Sequence, residues 1–235
     1  MFFKKFIIIF LGLFMACNCF GKNNTKEVAV LKVVVRDVFD TNSYFYIDSK
    51  TKHGFLIDPG AEAEKLTSII KQNGWKIEKI LLTHGHFDHT SAVEELHNAL
   101  KIPYFIHRNG ELFLKSTHYN LSQYCERNII LNDGKYFDDG DIISLSENPE
   151  IKLRVIHTPG HTPDSVVFYD EKNKIAFVGD TIFKMGIGNA GYPGGNAEDL
   201  KNSIMNKIFK LPAETILYTG HSEETTVATE SNRYR

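Results

Sequence analysis

Thr83-His84-Gly85-His86-Phe87-Asp88-His89 places four side chains able to bind a metal ion within six residues: His84, His86, Asp88 and His89. Imidazole nitrogen and carboxylate oxygen are donor types that suit zinc, iron and manganese. Gly85 frees the backbone to turn tightly, so His84 and His86 can aim at one point while Asp88 and His89 address a neighbouring one. The apolar Ile80-Leu81-Leu82 just before it reads as part of a strand over 77–83, and residues 91–100 read as a helix. A polar loop that merely happens to hold three histidines is the competing explanation, and so dense a cluster argues against it.

Outward from this turn, three more donors stand at the ends of expected strands. His161 lies in Thr158-Pro159-Gly160-His161-Thr162, Asp180 in Val178-Gly179-Asp180-Thr181, and His221 in Tyr218-Thr219-Gly220-His221-Ser222. Each follows a glycine, which permits close backbone approach. Singly, each would be an ordinary capping or surface residue; with the first cluster they make seven donors, enough for two divalent ions.

The remaining pattern is strands alternating with helices. Strands are expected over 28–39, 43–48, 55–58, 103–107, 151–157, 165–169, 174–179 and 214–218, the second and third forming an antiparallel hairpin. Helices are expected over 61–73, closed by Gly74, and over 109–115 and 196–209. Residues 117–140 carry turn residues and aromatics without a clear period. Two halves that each open with antiparallel strands favour a layered α/β arrangement over a β-barrel or a helical bundle.

Composition agrees with one domain. The chain has 235 residues, 42% hydrophobic and 24% charged, with a formal net charge of -2. That excludes the basic footprint of a nucleic-acid binder. Met1-Phe2-Phe3-Lys4-Lys5 and the apolar run 6–16 differ from the rest. About 11 apolar residues are too few to cross a hydrocarbon core of ~30 Å, and the pattern predicts a secretory signal over 1–21 ahead of one folded domain over 22–235. Lipidation at Cys17, cleavage after Gly21 and an uncleaved anchor are the alternatives. All imply export; the expected location is periplasmic, secreted or lipoprotein-anchored, and in the first two alternatives membrane attachment comes only through an N-terminal lipid. Past the signal only Cys125 remains, which cannot form an intramolecular disulfide and reads as a surface or half-buried residue. His53, His97, His107, His118 and His157 read as structural or surface histidines. Phe183, Met185, Ile187 and Tyr192 line either a pocket or the core.

His84-Gly85-His86-Phe87-Asp88-His89, followed by His161, Asp180 and His221, resembles the metallo-β-lactamase fold superfamily, from Leu56-Ile57-Asp58-Pro59-Gly60 to His221. The resemblance implies a four-layer αββα sandwich, two mixed β-sheets flanked by helices, with the site at one edge of the sheets. It implies His84, His86 and His161 on one metal, Asp88, His89 and His221 on the other, Asp180 bridging, and Asp58 supporting the site from behind. Two divalent ions, zinc favoured over iron or manganese, would then lower the pKa of water from 15.7 to about 7. The resulting bridging hydroxide would attack an acyl or phosphoryl centre of a small molecule, with Asp88 a candidate for proton transfer.

True β-lactamases of the superfamily usually carry Cys or Ser in place of Asp180. The segments Thr158 to Pro163, Gly179-Asp180-Thr181-Ile182-Phe183 and Pro193-Gly194-Gly195 look most like glyoxalase II-type thioesterases. Two features depart from that branch. Gly188-Asn189-Ala190-Gly191 stands where relatives carry Gly-Arg-x-Asp, and the chain stops about fourteen residues after His221, resembling the short, single-domain form. The expectation is therefore a dinuclear thioesterase-like hydrolase. Alternatives are a mono-iron persulfide dioxygenase, an exported β-lactamase or lactonase, and a non-catalytic metal-binding protein. Oligomeric state has no signature in the sequence.

Overall fold

A computed structural model describes residues 27–234. The expected signal over 1–21, with Cys17 and Cys19, lies outside the described residues. The strands are β1 (Val28–Arg36), β2 (Asp40–Asp48), β3 (His53–Ile57), β4 (Lys76–Leu81), β5 (Tyr104–His107), β6 (Lys135–Phe137), β7 (Ile142–Ser144), β8 (Lys152–His157), β9 (Val166–Asp170), β10 (Ile175–Gly179), β11 (Ile182–Phe183), β12 (Gly186–Ile187), β13 (Ile216–Thr219) and β14 (Thr225–Thr226). The helices are α1 (Ala63–Asn73), α2 (Phe87–Thr90), α3 (Val93–Leu100), α4 (Glu111–Lys115), α5 (Ala197–Asn206) and α6 (Val227–Ser231).

Side-chain alternation along the strands builds the layers. In β2, Tyr44 and Tyr46 face one way, into a core with Phe168 and Phe177, while Phe45 faces the other, against Leu66 and Ile70 of α1 and Leu96 of α3. In β9, Val166 and Phe168 face inward, while Val167 and Tyr169 meet Leu200 and Ile204 of α5. Strands β9 and β10 are buried throughout because both of their faces are covered. Each fully buried Leu, Ile or Phe contributes about 1.5–3 kcal/mol. The result is helix, sheet, sheet, helix.

The sheets run β1-β2-β3-β4-β5-β6 and β14-β13-β10-β9-β8-β7. Both are mixed: β1-β2-β3 and β7-β8-β9-β10 are antiparallel, whereas β3-β4-β5-β6 and the β10-β13 pair are parallel. Strands β3, β4, β8, β10 and β13 end just before Asp58, Thr83, Thr158, Asp180 and Gly220. Backbone bonds join these ends, with Val166 N–H donating to Thr83 O at 2.8 Å and Gly220 N–H to Gly179 O at 2.9 Å.

The helix closed by Gly74 forms as expected, its left-handed cap donating to Ile70 O and Lys71 O. Asn196 caps α5 by accepting from Glu198 N and Asp199 N. Four details differ from the sequence reading. The first strand stops at Arg36 and turns through 37–39 into β2, which starts before residue 43. The helix expected from residue 91 is preceded by α2, a single turn that carries Asp88 and His89. Residues 117–140 hold a short 3-10 turn and β6. The two- and three-residue strands β7, β11, β12 and β14 went unread, being too short to display a period.

Candidate metal centre

All seven expected donors meet at the sheet edge. His84 Nε2 and His161 Nε2 lie 3.1 and 3.0 Å from His86 Nδ1. His221 Nε2 lies 3.3 Å from His89 Nε2 and 3.2 Å from Asp88 Oδ2. Between the two triads stands Asp180, its Oδ2 at 3.2 Å from His221 Nε2 and 3.7 Å from His161 Nε2, its Oδ1 at 3.4 Å from His89 Nε2. The helical turn α2 separates the targets of His84 and His86 from those of Asp88 and His89.

Four of the five outer ring nitrogens are held by neighbours, and the fifth, His86 Nε2, is buried without a hydrogen-bond partner. Asp58 accepts from Thr83 N–H at 2.7 Å and Thr83 Oγ1–H at 2.6 Å, and its Oδ2 receives His89 Nδ1 at 3.0 Å. Because Thr83 spends its hydroxyl hydrogen on Asp58, its oxygen accepts from His84 Nδ1 at 3.1 Å. One buried carboxylate therefore orients His89 directly and His84 through Thr83. His161 Nδ1 donates to Asn189 O at 2.7 Å and His221 Nδ1 to Asp40 O at 2.8 Å. Such outer hydrogen bonds fix an imidazole's tautomer and aim its other nitrogen.

With those tautomers, the Nε2 atoms of His84 and His161 both point lone pairs at His86 Nδ1, which has at most one hydrogen to give. Lone pairs so close repel unless a cation lies among them. Tetrahedral zinc with bonds of 2.0–2.1 Å needs donors about 3.3 Å apart, near the spacing seen in each triad. Asp180 Oδ1 is buried without a hydrogen-bond partner. The donor set fits two divalent cations, and His84-His86-His161 and Asp88-His89-His221 are each clustered tightly enough to hold one.

Electrostatics divide the centre. Burial, reinforced by neighbouring imidazoles, holds His84 well below the usual histidine range and His86 down to about 3; burial also lowers His161, against the pull of Asp180. For His89 and His221 burial acts in the same direction but is outweighed by carboxylates. Asp180, Asp88 and Asp58 raise His89 well above its ordinary value, and hydrogen bonds to Asp180 and Asp88 push His221 up to about 10. Burial opposes ionisation of Asp88 and Asp180, yet His89 and His221 hold both carboxyls below the usual range. Half of the centre thus offers neutral nitrogens, and the other half demands positive charge.

Glycines make room for this packing. A Cβ on Gly220 would fall 2.0 Å from Asp180 Oδ1 and 2.8 Å from His89 Cε1. The backbone carbonyls of Asp40 and Asn189 escaped the sequence reading, since a carbonyl has no residue signature. Cys125 turns out to line a cavity beside the donors, as do Phe183 and Tyr192, whereas Met185 and Ile187 are exposed outside it. The other histidines serve elsewhere: His53 meets Glu78, His97 meets Ile102 O, His118 meets Tyr124, and His157 stacks on His107 while bonding Pro163 O.

A family model described as the metallo-beta-lactamase superfamily matches residues 36–221. The chain belongs to that superfamily. It is 31% identical over 203 residues to the hydroxyacylglutathione hydrolase GloC of Haemophilus influenzae, covering 85% of this chain and 94% of that one. Among solved structures, the BLEG-1 B3 metallo-beta-lactamase has a TM-score of 0.81 and 31% identity, covering 87% of this chain and 97% of that one. The protein TTHA1623, in a di-iron-bound form, has a TM-score of 0.75 and 30% identity, covering 86% and 96%. The fold expectation, α/β with mixed sheets flanked by helices, agrees with these likenesses. The superfamily includes metal-dependent hydrolases, and a small-molecule substrate is consistent with membership of it.

Proposed function

We propose that the protein is an exported, dinuclear metal-dependent hydrolase of a thioester or related acyl compound. In this reading His84, His86 and His161 hold one ion, Asp88, His89 and His221 the other, and Asp180 bridges. The observation that carries it is the pair of three-donor clusters with a carboxylate standing between them. A mono-iron dioxygenase would leave the Asp88-His89-His221 cluster without use, which favours the dinuclear reading. Zinc is the proposed metal because four-coordinate imidazole and carboxylate sites suit it; the di-iron form of TTHA1623 keeps iron in the test.

Two such ions would supply water acidified to a pKa of about 7 and a Lewis acid for the scissile carbonyl. The protein's own groups do the rest. Asp58, Thr83, Asn189 and Asp40 keep four of the five imidazoles, those of His89, His84, His161 and His221, from rotating. Asp88 lines the cavity floor, where Thr41 Oγ1–H donates to its Oδ2 at 3.3 Å. From there it can take a proton from the attacking water and return it to the leaving group. Aromatic walls shed water from the reacting atoms.

Metal analysis of the purified chain tests this together with a panel of thioester, ester, lactam and phosphoester substrates. Close to two ions per chain are expected, with Asp180→Ala lowering both occupancy and thioester turnover. An active metal-free protein, or full activity in Asp180→Ala, would refute it. The likeness to BLEG-1 supports β-lactam hydrolysis as a second reading, which faster turnover of a chromogenic cephalosporin than of any thioester would establish.

A further inference from the structure

A cavity of about 700 Å³ opens onto the two triads. Its walls are Phe39, Leu121, Tyr124, Phe183, Tyr192 and Pro193, drawn from four separate stretches of chain. Tyr192 borders the reacting centre, with its ring 5.8 Å from that of His86 and 6.3 Å from that of His161. Among the described residues lining the cavity there is no Lys or Arg; the charged groups are the carboxylates Asp40, Asp88 and Asp180 and the histidines of the centre. A shallower groove past Asp40 and His221 holds Lys32 and Lys184. There they face Asp40 and Glu223, and Lys32 is engaged by Glu224 at 3.6 Å. The Asn189 side chain offers no charge and is tied into its own loop, accepting from Gly191 N–H at 2.9 Å.

Glutathione carries two carboxylates and one ammonium. A carboxylate moved from water against uncharged walls needs a cationic or hydrogen-bonding partner, and this cavity provides aromatic surface instead, which rewards apolar area. We infer that the substrate is a thioester joining an apolar, aromatic-sized acyl group to an uncharged thiol, and that glutathione thioesters are poor substrates. This rests on the thioester reading above. The reaction breaks the C–S bond and forms a C–O bond; water gives its oxygen to the acyl carbon and a proton to the departing sulfur.

The test uses the metal-loaded full chain and two matched probes, the phenylacetyl thioesters of N-acetylcysteamine and of glutathione. The expected result is a kcat/KM about tenfold or more higher on the neutral thiol. Equal values, or a preference for glutathione, would overturn this inference and leave the thioesterase reading standing. Cleavage of neither probe would overturn both. Tyr192 is 42% exposed, so Tyr192→Ala spares the core. That variant should lose about tenfold in kcat/KM on the phenylacetyl thioester of N-acetylcysteamine and distinctly less on its acetyl thioester. Equal losses on the two acyl groups would overturn the assignment of the walls to the acyl chain.

Discussion

Asp58→Asn replaces one carboxylate oxygen by an NH2 group and should disable the His89 half of the centre. Asp58 is 2% exposed and accepts three hydrogen bonds, one at Oδ1 from Thr83 N–H and two at Oδ2 from Thr83 Oγ1–H and His89 Nδ1–H. Asparagine can keep the first with its carbonyl oxygen. Its NH2 then occupies the place of Oδ2 and faces two donors with two more hydrogens. Hydrogen bonds to a charged group are worth about 1.5–3 kcal/mol each, so losing two costs about 3–6 kcal/mol before relaxation. The cheapest relaxation moves the His89 proton from Nδ1 to Nε2, which removes the lone pair aimed at the proposed ion. Loss of such an outer carboxylate typically weakens metal binding 10–100-fold, or about 1.4–2.7 kcal/mol. Competition against a chromophoric chelator, on variant protein whose circular dichroism matches the parent, measures it directly. One of the two zinc affinities should fall by that factor and turnover with it. Two ions bound with parental affinity would refute the argument that Asp58 sets the His89 tautomer.

Gly220→Ala should cut turnover about 100-fold, the scale of a 1 Å misplacement, because its Cβ would fall 2.0 Å from Asp180 Oδ1; parental kcat in a variant confirmed by mass spectrometry would contradict this. Asp164 is wholly buried, and that burial, only partly offset by neighbouring hydrogen-bond donors such as Thr162, pushes its carboxyl up from 3.8 to about 7. Because the folded value is raised, its contribution to stability is full below about pH 4 and is lost as pH rises through about 7, some three units or about 4 kcal/mol at most. Asp164→Asn should therefore match the parent in urea denaturation at pH 4 and exceed it at pH 8; a difference independent of pH would count against the buried acid. Stripping the metal should lower the melting temperature: an ion at 100 times its Kd stabilises by about 2.7 kcal/mol, or about 5–10 °C for a domain of this size. An unchanged melting curve in chelator would contradict metal binding at the native centre.

Local chemistry determined what could be read without coordinates. The spacing His84-x-His86-x-Asp88-His89 lies within one turn after one strand, so its density speaks for itself. His161, Asp180 and His221 were legible because each follows a glycine at the end of an apolar run, and long strands with a clear period set the layers. Tertiary structure alone decided the rest. The pairing of donors into two triads depends on chain segments separated by as many as 181 residues meeting at one edge, as Asp40 does with His221 through a 2.8 Å bond. The carbonyls of Asp40 and Asn189 could not be read in advance because every residue has one, and only register brings these two to His221 and His161. The cavity walls come from loops whose aromatic residues are equally at home in a core. A ligand set is written in residue types. The shape and charge of the space it faces arise from packing among distant segments, and that space is where substrate preference is set.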